Sequence, residues 1–273
     1  MKLSLCNEVV RELSFPRQCA FAAALGYDGL EIAPFTLTDD PRRLTPRRIA
    51  AVRAALAAEG LACSSLHWLL VTPAGLSITS PDAAIRRSTV EVIRRLCDLA
   101  AELGASVLVH GSPGQRRLPG ARQSAARGRA TDCFSAAAEA ARAAGVTYCI
   151  EPLAARETNF INTVAEAVAL VAEIDQPAFK TMIDTCAAGT QEGDVVALID
   201  RWLPTGNIAH IQVNDPNRRG PGEGEMAFGP VVAALSRHHY KGWVAVEPFI
   251  YQPNGVACAA RAAGYMRALE EHR

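Results

Sequence analysis

One unit recurs along this chain: a short apolar, β-branched run, a longer stretch rich in Ala, Leu and Arg, often a glycine, and then the next run. The strand-like runs are LSLC from Leu3, GLEIA from Gly29, LACSSLH from Leu61, SVLVHG from Ser106, VTYCIE from Val146, KTMID from Lys180, IAHIQV from Ile208 and WVAVE from Trp243. Helices are predicted near 16–25, 46–59, 81–103, 124–144, 163–174, 191–202, 228–238 and 255–271. Ser80-Pro81-Asp82, Thr45-Pro46 and the Thr163/Glu166 pair are helix-start signals. Gly26, Gly60, Gly104 and Gly145 stand where a helix ends before a strand and positive φ is wanted. Strand and helix in strict alternation imply a parallel sheet. Eight such units in 273 residues, without a linker to divide them, predict a single-domain (β/α)8 TIM barrel. A doubly wound dinucleotide fold would place a GxGxxG after the first strand, and this chain has none there.

With 49% apolar and 21% charged residues the chain has material for one large core. Its 28 Lys and Arg against 28 Asp and Glu leave no electropositive footprint for a phosphate backbone, so nucleic acid is not expected as a partner. No apolar run reaches the roughly 18 residues of a membrane span, so no membrane association is expected. Asn7 and Glu8 interrupt the first apolar run too early for a signal peptide. The eight cysteines are scattered, form no CxxC pair and mostly fall in apolar runs, as do reduced core residues of a cytoplasmic protein.

A barrel of this kind carries its active site at the C-terminal ends of the strands. There the chain places Glu151 after strand five, Asp184 after strand six and Glu247 after strand eight, each directly following an apolar run. Three carboxylates buried together without a cation would be prohibitive, so they imply one divalent metal ion, a hard one such as Mn²⁺ or Mg²⁺. Strand seven should supply a fourth ligand. Alternation puts His210 and Gln212 on the barrel-facing side, with Gln212 nearer the mouth and His210 one layer deeper. His67 and His110, at the ends of strands three and four, are expected to face the mouth as well.

GYDGLEIAP, LHWLL, VLVHGSP, IEPL, the MIDT strand, HIQVNDPNRRGPGEGEMAF and VAVEPF together resemble the xylose isomerase-like TIM barrels, in their sugar isomerase and epimerase branch. The resemblance spans nearly the whole chain. The stretch from His210 is similar to that of ketose 3-epimerases, while HIQ and the QEGD after strand six are similar to hydroxypyruvate isomerases, in which Gln stands at the metal position. The resemblance implies a metal held by Glu151, Asp184, Gln212 and Glu247, with Glu151 and Glu247 as the acid/base pair on opposite faces of the substrate. A divalent ion on adjacent carbonyl and hydroxyl oxygens eases removal of a carbon-bound proton and stabilises the enediolate. One carboxylate takes the proton and the other returns it.

On the substrate side the expected residues are His67, His110, Glu157, His210 and Arg218, with Glu157 and Arg218 matching substrate-contacting positions of the epimerases. The substrate expected is a small ketose, keto-acid or related sugar, and relatives imply a homodimer or homotetramer. Ala187 departs from the pattern, since epimerases and hydroxypyruvate isomerases place a substrate-binding histidine there. Its absence also argues against the AP endonuclease branch, whose metal positions His67 and His110 match. Other readings of the same barrel are a lyase or dehydratase acting on a keto-inositol or 3-keto-glycoside, and a non-catalytic partner barrel. The arginine-rich segment 115–129 reads as a lid over an anionic substrate or as a solvated loop. Trp68 reads as an apolar wall for a sugar face or as packing, and GPGEG from Gly220 as a turn over the site.

Overall fold

Alternation along each strand decides which side chains enter the barrel and which lie beneath the helices. In the computed structural model, which describes residues 1–120 and 123–271, eight parallel strands close on themselves in sequence order: β1 Lys2–Cys6, β2 Gly29–Ile32, β3 Ala62–Leu66, β4 Val107–His110, β5 Thr147–Ile150, β6 Phe179–Asp184, β7 Ile208–Val213 and β8 Trp243–Val246. The register lines up Leu66, Leu108, Tyr148 and Phe179 across β3 to β6, all buried in the shell under the helices. The opposite face carries Cys6, Glu31, Ser65, Val107 and Thr147 in one row, and Val107, Val109, Cys149 and Met182 form a separate small cluster inside the barrel. The fold is a single (β/α)8 TIM barrel, as the alternating pattern predicts.

The outer ring is α1 Phe15–Ala24, α2 Pro46–Ala58, α3 Ala83–Leu103, α4 Gln123–Ala144, α5 Val164–Ile174, α6 Thr185–Gln191, α7 Val195–Trp202, α8 Phe228–Arg237 and α9 Gly255–Glu271. In α3 the buried positions Val92, Ile93, Leu96, Cys97, Ala100 and Leu103 recur at helical spacing, giving the stripe that packs on the strands. The start signals act through hydrogen bonds: Thr45 accepts from Arg48 N, Asp82 from Ala84 N, and Thr163 with Glu166 forms a capping box. Gly104 ends α3 at φ 78°, in the left-handed region glycine favours. All eight cysteines are buried and free. Among the described residues no helix is long and apolar enough to cross a membrane.

Two expectations need correction. One helix over 191–202 is predicted after strand six, but the structure has two, α6 and α7. The Asp184 side chain accepts from Ala187 N and starts α6 immediately at the strand end, and Gly193 at φ 89° breaks the chain before Asp194 caps α7. The arginine-rich segment is not a single loop. Its part from residue 123 is the start of α4, Arg116 is fully buried, Arg117 donates to Glu157 O, and Arg129 donates to Thr79 O. Ala121 and Arg122 lie outside the described residues.

Candidate active site

Glu151, Asp184 and Glu247 leave the ends of β5, β6 and β8 at the same rim, 6%, 3% and 3% exposed. Each offers an oxygen that lies within 4.8 Å of those of the other two. Burial, then the charges of Glu247 and Asp184, push the Glu151 carboxyl well above the usual carboxylate range. Burial lifts Asp184 to about 7 against the hydrogen bond from Ala187 N, and lifts Glu247 to about 8 against the pull of His67. Three acids driven toward the neutral form in one pocket are what a divalent cation would reverse.

The unpartnered atoms agree with a cation. Asp184 spends Oδ1 on the α6 cap at 2.6 Å, and its Oδ2 is buried without a hydrogen-bond partner. Glu247 spends Oε1 on His67 Nδ1 at 3.0 Å, and its Oε2 is likewise unpartnered. Gln212, in register with Asp184 on one side and Ala245 on the other, leaves its Oε1 buried and unpartnered. Buried acceptors left without donors are costly, and hard oxygens of this kind suit Mn²⁺ or Mg²⁺. The residues present fit such an ion.

Beneath this rim lies a second tier. Pairing of β6 with β7 passes from Thr181↔Ile208 to Met182↔His210, so that His210 falls inside with Met182. His210 Nε2 is 2.7 Å from Glu31 Oε2, and Gln212 Nε2 donates to Glu31 Oε1 at 2.8 Å. Burial raises the Glu31 carboxyl, but His210 and His67 outweigh it and hold it at about 2. His67 lies between two carboxylates, with Nε2 2.9 Å from Glu8 Oε2 and Nδ1 facing Glu247. Burial disfavours its charge, yet Glu8, Glu31 and Glu247 together raise its pKa well above the ordinary value.

The structure turns His110 away from the mouth. It pairs in register with Ile150 on the face that also carries Leu108 and Tyr148, its Nδ1 is 2.8 Å from the Tyr148 hydroxyl, and its ring meets Phe134 of α4 at 5.3 Å. Burial, with Arg116 nearby, lowers its pKa to about 3, so it is a neutral packing residue. Val107 and Val109 face inward, and parity gives the next residue the opposite side.

Glu157 is half-buried in the loop after β5, where its charge raises Glu151 and Asp184. Arg218 follows β7 at φ 69°, its guanidinium over the Phe249 ring at 5.0 Å, and its carbonyl accepts from Phe249 N and Ile250 N at 2.9 Å. The loops after β7 and β8 are thereby tied together. Trp68, at φ 52°, meets the same Phe249 edge-on at 6.3 Å. Asn214 joins three strand ends: its Oδ1 accepts from Cys186 N and its Nδ2 donates to Glu247 O.

A family model described as xylose isomerase-like TIM barrel matches residues 19–270. The chain belongs to that family. Within it, a probable ketose 3-epimerase of Synechocystis is 26% identical over 247 residues, 86% of this chain and 79% of the relative. The D-psicose 3-epimerase of Agrobacterium fabrum is 26% identical over 234 residues, 84% and 77% of the two chains. Among solved structures, a 3-keto-D-glucoside 4-epimerase from E. coli superposes with a TM-score of 0.83 over 98% of this chain and 99% of its own, at 20% identity, a likeness of fold.

For this xylose isomerase-like barrel the sequence places three acids at the strand ends and His210 one layer deeper, where the structure has them, but misses other charged groups packed against them. Glu8, Glu31 and Arg116 are absent from the expected site, although all three are buried next to it. Arg116 donates to Glu151 O at 2.6 Å and its charge opposes the rise of the Glu151 carboxyl. The available signal was an acid inside the apolar run GLEIA, at a position whose parity points into the barrel.

Proposed function

We propose that this chain is a divalent-metal-dependent isomerase or epimerase of a small ketose, keto-acid or related sugar, working through proton exchange at the carbon beside a carbonyl. It is an enzyme of the sugar isomerase and epimerase class. The observation that carries the reading is the meeting of carboxyl oxygens of Glu151, Asp184 and Glu247 within 4.8 Å, in a place where Asp184 Oδ2, Glu247 Oε2 and the Oε1 of Gln212 on the strand between are buried and unpartnered. These four residues would hold the metal, Mn²⁺ or Mg²⁺ by the hardness of their donors. When bound, such an ion polarises adjacent carbonyl and hydroxyl oxygens and lowers the barrier to losing the proton between them.

Glu151 and Glu247 stand on strands three apart around the barrel and approach a substrate at the mouth from different sides. One takes the carbon-bound proton and the other delivers a proton, to the opposite face of the same carbon in epimerisation or to the neighbouring carbon in isomerisation. Arg116, bonded to the Glu151 carbonyl, and His67, bonded to Glu247 Oε1, fix the two acids from behind. Arg218 and Glu157 offer a donor and an acceptor to substrate hydroxyls. The short, buried Cys186-Ala187-Ala188 start of α6 leaves the β6 side of the mouth apolar.

The test is exchange in heavy water over a panel of ketoses and keto-acids with added Mn²⁺ or Mg²⁺. Deuterium entering beside a carbonyl, with product mass otherwise unchanged, is expected. Glu151→Gln and Glu247→Gln should each lower kcat by about 10²–10⁴-fold. Loss of water from the product would move the reaction to the eliminating lyases, and full activity in both variants would remove the acid/base assignment.

A further inference from the structure

The Gln212 amide can present either an oxygen or an NH2 to the mouth, and only the oxygen can hold a cation. Rotation by 180° exchanges the two with almost no change in shape, so packing alone does not choose between them. The choice is made from beneath. Glu31 stands in β2 with Oε1 at 2.8 Å from Gln212 Nε2 and Oε2 at 2.7 Å from His210 Nε2. A carboxylate accepts and does not donate, so a flipped amide would set oxygen against oxygen in a fully buried place. Both Glu31 oxygens are used: His210 holds Glu31, and Glu31 holds Gln212. What remains is Gln212 Oε1, buried and unpartnered between the strand that carries Asp184 and the strand that carries Glu247.

We infer that Glu31 is the positioning residue of the metal centre, locking Gln212 with its carbonyl oxygen available to the cation. The inference rests on the reading that Glu151, Asp184, Gln212 and Glu247 bind a divalent ion. Glu31→Gln keeps the shape but can donate as well as accept, so both orientations of Gln212 become satisfied and the lock is lost.

The measurement is Mn²⁺ binding by calorimetry on wild type, Glu31→Gln, Gln212→Ala and the double variant, with thermal melts alongside. Glu31→Gln is expected to raise the Mn²⁺ Kd by about 10–100-fold, the size typical of losing a group that orients a metal ligand. In the Gln212→Ala background the same change should add almost nothing, because Glu31 acts through Gln212. An unchanged Kd in Glu31→Gln, or an equal loss when Gln212 is already gone, overturns the inference. Should Glu31→Gln fail to fold, Glu31→Asp withdraws the acceptor by one methylene, and its loss must likewise vanish in the Gln212→Ala background. A wild type that takes up neither Mn²⁺ nor Mg²⁺ removes the proposed cation site itself. Tight wild-type binding with no effect at Glu31 leaves that site standing and removes only the role of Glu31.

Discussion

His67 and His110 look alike in the sequence, each at the end of an apolar run, yet one lies in the barrel and the other under α4. The difference is one of parity: β4 turns Val107 and Val109 inward and leaves His110 outside with Leu108. His110→Phe is therefore expected to leave kcat and KM within about twofold, while the Tyr148 hydroxyl loses its partner at a cost of about 1–3 kcal/mol. In a barrel of this size that corresponds to a Tm lower by a few degrees. A loss of activity comparable to that of Glu151→Gln would return His110 to the site. Glu31 could have been found by the same parity count, since its neighbours Leu30 and Ile32 face outward. Glu8 could not, because it lies in a single 3-10 turn after β1 where no periodicity applies.

The rim acids are set by the elements that meet at the strand ends, and one close fit lies between the ends of β4 and β5. Gly111 follows β4, and a Cβ placed there would overlap Glu151 Oε2. The glycine is needed for close approach, not for an unusual φ. Gly111→Ala is expected to displace the Glu151 carboxyl, weaken Mn²⁺ binding and reduce kcat by about tenfold or more, since misplacement of about 1 Å is costly in catalysis. Its melting curve should shift much less than its activity. Wild-type metal affinity in this variant would mean that Glu151 has room to move. The strand ends themselves were legible as apolar runs closed by an acid, whereas α6 was not. Its helix is seven residues long and its N-cap is the rim residue Asp184, so the signal that starts it was already assigned to the strand. A short helix held by one cap leaves too little periodicity to read.

For the whole molecule, a metal held at the rim would couple stability to pH. Asp184 at about 7 and Glu247 at about 8, with Glu151 also raised, keep protons in the folded protein that the unfolded chain releases near pH 4. The folded state then binds more protons across that window, so without metal its stability falls as pH rises from about 4 to about 8. His67, raised by its carboxylate neighbours, acts in the same direction, giving full support below its ordinary value and losing it as pH climbs through its folded pKa. Glu31, held at about 2, opposes this only in acid, its contribution being complete above the ordinary glutamate value and lost as pH falls toward 2. A divalent ion requires ionised carboxylates, so its binding releases protons and strengthens with pH. By mass action the Mn²⁺-induced rise in Tm should be small at pH 5 and large at pH 8. Melts with Mn²⁺ and with a chelator at pH 5, 6.5 and 8 measure it, and Glu247→Gln should flatten the dependence by removing one of the protons to be displaced. An equal shift at every pH would mean that the cation binds elsewhere, away from the buried acids.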